Sequence, residues 1–187
     1  AMGADFYPRL VGVANDNQEC NRLVNEQTLV SLLLAGPGVI GTIIFAPLII
    51  ALFYSSEFVK AVEILRWICL GIAMRTVTWP MGFIIVAKNR QLLFIVVEVA
   101  WTLANLTLTW VFVDSFGVNG AGVAFFGSYL FHFCLIYPIV RWLTGFRLSS
   151  RNAQTACVFI ALLILVFLGS LLMSPLVLMV FGTLLLI

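Results

Sequence analysis

"RWICLGIAMRTVTWPMGFIIVAK", Arg66 to Lys88, decides the fold. Between its end charges the stretch is apolar and longer than the roughly 20 residues that a bilayer crossing needs, yet Arg75 stands near its middle. No alternation of a strand is present, and backbone groups in hydrocarbon must bond within their own segment, so the stretch reads as a membrane helix. The rest of the chain agrees. Of 187 residues, 63% are apolar and 10% charged, and long charge-free runs recur. The class this predicts is an all-α integral membrane protein, a multi-helix transmembrane bundle.

Outward from that stretch, six hydrophobic segments emerge, at roughly 29–53, 61–87, 92–113, 118–140, 154–173 and 176–187. Ser174-Pro175 divides the last two, because proline lacks an amide donor and disfavours helix at the residue before it. The final segment is too short for a crossing, so 148–187 is read as a terminal helix pair, cut short. Residues 1–28 read as the end of a membrane helix followed by a cytoplasmic loop. No signal-peptide pattern opens the chain, and the texture of both ends is that of a C-terminal fragment of a larger protein.

The connections alternate between two sides. Arg9, Arg22, Lys88, Arg90, Arg141, Arg147 and Arg151 fall on one, and Lys60 on the other, with Arg66 just inside the next span. Basic residues accumulate in cytoplasmic loops, which predicts 1–28, 88–91 and 141–153 to be cytoplasmic. Tyr54, Trp67, Trp110, Phe116 and Trp142 lie near span ends, where aromatic rings prefer the headgroup level.

At 3.6 residues per turn, Gly71, Arg75, Thr78 and Gly82 share one helix face, as do Glu98, Thr102, Asn105 and Thr109 in the next span. Ser31, Ala35, Gly38 and Thr42 repeat the pattern in the first span, and Ser128 and His132 lie one turn apart in the fourth. Small and hydroxylated residues on such stripes let membrane helices approach closely. Arg75 and Glu98 need more, since an ionisable side chain near the bilayer centre costs about 2.5–3.5 kcal/mol on insertion scales and normally faces a partner or a wet cavity. Counted at 1.5 Å per residue from the 88–91 turn, Arg75 and Asn105 lie at about the same depth, with Glu98 below them. Two readings stay open: a structural Arg75–Glu98 ion pair, or a cavity in which Arg75, Asn105, Glu98, Thr78, Thr102 and His132 meet an anionic substrate. Arginine suits the second because its planar donors can bind two phosphate oxygens at once. Glu63 and Arg66 read as a local interfacial pair.

Gly36, Pro37, Gly38 and Pro47 interrupt the first span, Pro80 the second and Pro138 the fourth. Each proline removes a helical bond, so these residues are candidate hinges or kinks. Cys20, Cys69, Cys134 and Cys157 are scattered and read as free thiols, and His132 is the single histidine, so neither a metal site nor a cofactor is expected. The phosphate loop of P-loop nucleotide hydrolases is lacking, as is a loop grouping of serine, histidine and carboxylate; no nucleic-acid partner is expected.

The phrases "FYPRL" (from Phe6), "LVNEQT" (from Leu23), "LLLAGPG", "FAPLIIALFYSSEF" (from Phe45), "ILRWICLG", "WPMGFIIVAKNR" and "FGVNGAGVAFFGSY" follow one another in an order that resembles the polysaccharide-biosynthesis flippases, O-antigen type, of the multidrug/oligosaccharidyl-lipid/polysaccharide exporter superfamily. The likeness covers about residues 1–147. It implies a two-lobed bundle of twelve to fourteen helices around a central cavity, with 29–147 as four helices of the C-terminal lobe. It also implies a bacterial inner-membrane transporter, not an enzyme, that moves undecaprenyl-diphosphate-linked oligosaccharide between leaflets among membrane lipids and other polysaccharide-assembly proteins. On that reading Glu98 is the candidate for coupling to an ion. A drug or cation antiporter of the same superfamily is the alternative; a membrane polysaccharide polymerase or ligase would need a large extracytoplasmic loop, which this stretch lacks.

Overall fold

A computed structural model describes residues 2–186, and the described residues are helices and short connections without a strand. The helices are α1 (Met2–Gly12), α2 (Asn17–Phe53), α3 (Ala61–Ala87), α4 (Gln91–Phe116), α5 (Gly120–Thr144), α6 (Ser150–Leu172) and α7 (Pro175–Leu186), with 3₁₀ turns at Ser56–Lys60 and Gly117–Asn119. Four continuous helical stretches are long and apolar enough to cross a membrane. One of them, Gln91–Thr144, folds back on itself at Gly117, whose φ of +66° is a conformation open mainly to glycine. The chain is thus an all-α protein built for a bilayer. Ile187, the end of the expected last segment, lies outside the described residues.

Contacts along the helices fix their directions. Asn105 bonds Ser128 while Trp101 packs on His132, so α4 and α5 form an antiparallel hairpin. Gly71 faces Phe125 and, further along both helices, Gly82 faces Ile136, so α3 and α5 run parallel. Gly71 and Gly122 make this crossing close: a β-carbon on the first would meet the Phe125 ring at 2.5 Å, and on the second the Trp67 side chain at 2.8 Å. Hydrocarbon offers helices no hydrophobic reason to associate, so such close packing is what holds them. In parallel on α2, α6 carries Asn152 beside Asn25 and Phe159 beside Gly36.

The first expected span was to begin at 29, after a loop. Instead α2 begins at Asn17, because Asp16 accepts the backbone N–H groups of Gln18 (2.8 Å) and Glu19 (3.2 Å) as an N-cap. Arg22 then pairs with Glu19 and Glu26 along the exposed side of the same helix. At 37 residues and 1.5 Å each, α2 is about 55 Å long, well beyond a hydrocarbon core of about 30 Å, so it is longer than a crossing needs by about the length of its polar start. The loop that remains between α1 and α2 spans only 13–16.

The prolines lie inside helices. α2 continues through Pro37 and Pro47, α3 through Pro80 and α5 through Pro138, so none of these, nor Gly36 or Gly38, ends a helix. Neighbouring side chains can re-satisfy the single backbone group that each proline frees. Trp67 packs between Phe126 (5.9 Å) and Phe167 (4.9 Å). Trp110 and Trp142 remain on the surface near helix ends. The four cysteines are free.

Two apolar cores result. One joins α1, the start of α2 and the ends of α3 and α5 around Leu10, Met81, Ile84 and Val140. The other joins α2, the start of α3 and α6 around Ile43, Ile44, Cys69 and Leu163. At one end of the bundle the three segments rich in basic residues meet: Lys88 donates to the Ala14 carbonyl, Asn21 to that of Thr144 (3.0 Å), and Asn25 to that of Arg147 (3.0 Å). α4 is the bare helix, with Val97 its sole buried residue.

Candidate functional site

Arg75 lies between the two cores. It is exposed, and none of the ion pairs among the described residues includes it. On one side it borders an open groove of about 640 Å³ between α2 and α3, opposite Ser31, Leu34 and Ala35. Two of the four residues of the first-span stripe, Ser31 and Ala35, therefore line the groove that the cation borders. On its other side Arg75 borders a half-open inner cavity of about 130 Å³ between α3, α4 and α5, together with Thr78, Glu98, Trp101, Tyr129 and His132. A second pocket of about 240 Å³ shares Thr78, Glu98 and His132 and extends along α3 past Gly82 to Val86.

Four of the six residues expected in the cavity thus come together: Arg75, Thr78, Glu98 and His132. The other two do not. Asn105 donates to the Ser128 hydroxyl (2.9 Å), which in turn donates to the Phe125 carbonyl, so it joins two helices. Thr102 is exposed and borders neither pocket of the site. The structural Arg75–Glu98 ion pair does not form. Glu98 instead has its Oε1 4.0 Å from His132 Nε2, a contact that becomes an ion pair only when the imidazole is protonated. His132 is 8% exposed, and neither of its ring nitrogens, nor Trp101 Nε1, has a hydrogen-bond partner among the described residues.

Helical spacing could have found the aromatic walls. Trp79 follows Arg75 by one turn, Trp101 follows Glu98, and Tyr129 precedes His132, each at three or four residues on the same face. In an apolar span an aromatic ring looks like lipid-facing surface, and that hid them.

Arg66 is the larger surprise. Expected to pair with Glu63 at the interface, it is 8% exposed, while Glu63 accepts a hydrogen bond from Asn119 (2.9 Å). The guanidinium donates from Nε to the Ile43 carbonyl (3.5 Å) and from a terminal nitrogen to that of Ser170 (3.3 Å). Both acceptors are free for identifiable reasons. Ile43 would bond the amide of residue 47, which is Pro47 and has none. Ser170 lies in the last turn of α6, where carbonyls lack helical partners and the helix dipole favours a cation. Arg66 therefore ties α2, α3 and α6 together.

Among the described residues no three His, Cys, Asp or Glu side chains gather as a metal site would require. No family model, curated protein or solved structure matches the chain.

Proposed function

We propose that this chain is the C-terminal lobe of a polysaccharide-biosynthesis flippase, which moves an undecaprenyl-diphosphate-linked oligosaccharide across the bacterial cytoplasmic membrane. The observation that carries the reading is Arg75: a permanent cation in the middle of an apolar helix of 27 residues, without a carboxylate partner, beside an open groove of about 640 Å³. A charge at that depth is costly, so its retention calls for an anion that arrives with the substrate. The diphosphate supplies paired oxygens for the guanidinium fork. Glu98, in the adjoining cavity, is the residue on which coupling to an ion would act. The end of the bundle where Arg9, Arg22, Lys88, Arg90, Arg141, Arg147 and Arg151 collect is then cytoplasmic. The order of sequence phrases from Phe6 to Tyr129 supports the family and the two-lobed arrangement.

A second reading, exchange of drugs or organic cations, is favoured by one feature. Trp79, Trp101 and Tyr129 stand near the Glu98 carboxylate, and aromatic faces attract cations. Arg75 beside the same carboxylate opposes it.

The test is surface polysaccharide in cells that depend on the full-length protein, scored with the amount of protein in the membrane. Arg75→Ala should reduce surface polysaccharide at least about tenfold at normal protein levels, the loss of a single charge-assisted bond pair, and Arg75→Lys should restore part of it. Undiminished polysaccharide in Arg75→Ala cells removes the basis of the reading; increased sensitivity to organic cations instead would favour the second.

A further inference from the structure

α2 and α6 run side by side and leave a furrow between them on the outside of the bundle. Gly36 lets the Phe159 ring approach to 3.3 Å from where a β-carbon would stand, and that contact is the floor of a groove of about 450 Å³. Leu33 and Pro37 on α2 form one bank, and Val158 and Leu162 on α6 the other. The volume lies within the roughly 300–1,000 Å³ of small-ligand sites. Its walls are apolar except toward the start of α6, where Gln154 and Thr155 line it.

The charges lie at that same polar end. Arg151 precedes Gln154 and Thr155 by three and four residues, so it stands one turn below them on the same face of α6. It also sits in the first turn of a helix that has no acidic residue there, although the helix dipole disfavours a cation at that end. Arg147 belongs to the segment just before α6, whose backbone is fixed to α2: Asn25 donates to the Arg147 carbonyl (3.0 Å) and accepts from the Ser149 amide (2.8 Å) and the Asn152 side chain (2.9 Å). Both arginines are exposed, and neither takes part in an ion pair among the described residues. Carboxylates are near, since Glu19 and Glu26 stand on the start of α2, but both already pair with Arg22. Two fixed cations thus adjoin an apolar groove that runs away from them along the helices.

Apolar walls alone do not choose among lipids, whereas fixed positive charge at headgroup level does. We propose that the groove between α2 and α6 is a site for an anionic phospholipid, with one acyl chain lying between Leu33 and Val158 and the phosphate meeting Arg151 and Arg147. The guanidinium fork suits two phosphate oxygens. A chain in the groove packs on α2 and α6 at once, so the lipid braces α6 against the bundle. The inference needs only that the chain spans a bilayer and does not depend on the flippase reading.

Phosphatidylglycerol and phosphatidylcholine share the phosphate, but the second carries a cation beside it, so the pair of lipids separates charge from chain. The full-length protein in detergent micelles is titrated with the dioleoyl form of each, and retained lipid is counted by native mass spectrometry. One phosphatidylglycerol should be retained at a concentration at least about tenfold below that needed for phosphatidylcholine, since each arginine near a membrane surface contributes about fivefold. Arg147→Gln and Arg151→Gln should each lower that preference about fivefold, and because both side chains are exposed the fold should stand. Arg90→Gln, at a separate pocket beside Trp142, should leave it unchanged. Val158→Trp, which fills the groove, should weaken retention of both lipids. Equal retention of the two lipids, an equal loss of preference in Arg90→Gln, or full retention in Val158→Trp overturns the site and leaves the flippase reading standing. Retention of undecaprenyl phosphate in place of phosphatidylglycerol overturns it as well, because the groove would then serve an isoprenoid.

Discussion

Two arginines on α3 occupy opposite situations. Arg66 is buried and donates to two backbone carbonyls, whereas Arg75 is exposed and has no ion-pair partner. By the usual rule the buried charge would be the functional one, because burying an ion is costly and such ions mark sites. The comparison teaches otherwise. What separates the two is whether the protein already supplies an acceptor. Arg66 meets carbonyls left over by a proline and by a helix end, so it completes the fold. Arg75 meets a groove and takes part in no ion pair among the described residues, and the proposed function fills that groove with an anion.

The largest effect that would break this comparison concerns stability. Arg66→Leu keeps the stem's packing but leaves the Ile43 and Ser170 carbonyls unbonded, at about 1–3 kcal/mol for each orphaned group. The two together, about 2–6 kcal/mol, should lower the melting temperature in detergent by about 4–24 °C, using roughly 2–4 °C per kcal/mol for a chain of this size. Arg75→Leu should leave it unchanged or slightly raised, since an unpaired charge leaves an apolar helix. Equal losses in the two variants would erase the distinction.

A smaller effect sharpens it. Pro47→Ala restores the amide that Ile43 lacks, so the carbonyl no longer depends on Arg66. In the Pro47→Ala background, Arg66→Leu should cost about 1 kcal/mol less than in the native chain, a coupling measurable by a double-mutant cycle. Additive losses would mean that Arg66 answers the α6 end alone.

How much of this was legible depended on the range of the interaction. Ala61–Ala87 matches the expected second span, because hydropathy along one helix is a local property. α2 was misjudged at its start because a polar, capped helix outside the bilayer carries no hydropathy signal; the signs were Asp16 with Glu19 three residues on, and the Arg22 pairs. Projection on single helices found Arg75, Thr78, Glu98 and His132, yet it also admitted Asn105 and Thr102, since a shared face does not say which neighbour that face meets. Arg66 was out of reach for the same reason. Its acceptors lie on α2 and α6, far away in sequence, and only their packing beside α3 turns a proline and a helix end into a binding site for a cation.

Asn105 offers the smallest test, at the level where polar residues merely join helices. Its amide donates to Ser128 across the α4–α5 hairpin, half-buried, one turn beyond the walls of the inner cavity. Interhelical hydrogen bonds of this kind average about 0.6 kcal/mol in a membrane protein, because the separated helices find other partners. Asn105→Ala should therefore lower the melting temperature by no more than about 2 °C and leave surface polysaccharide unchanged. Ser128 would keep its own bond to the Phe125 carbonyl, so no buried hydroxyl is stranded. A strong transport defect with normal stability would show that the substrate path reaches further up α4 than Glu98 and Trp101. The arginine with no partner would then be one end of a longer polar track, and the boundary between helix-joining and substrate-facing residues would move from Trp101 to beyond Asn105.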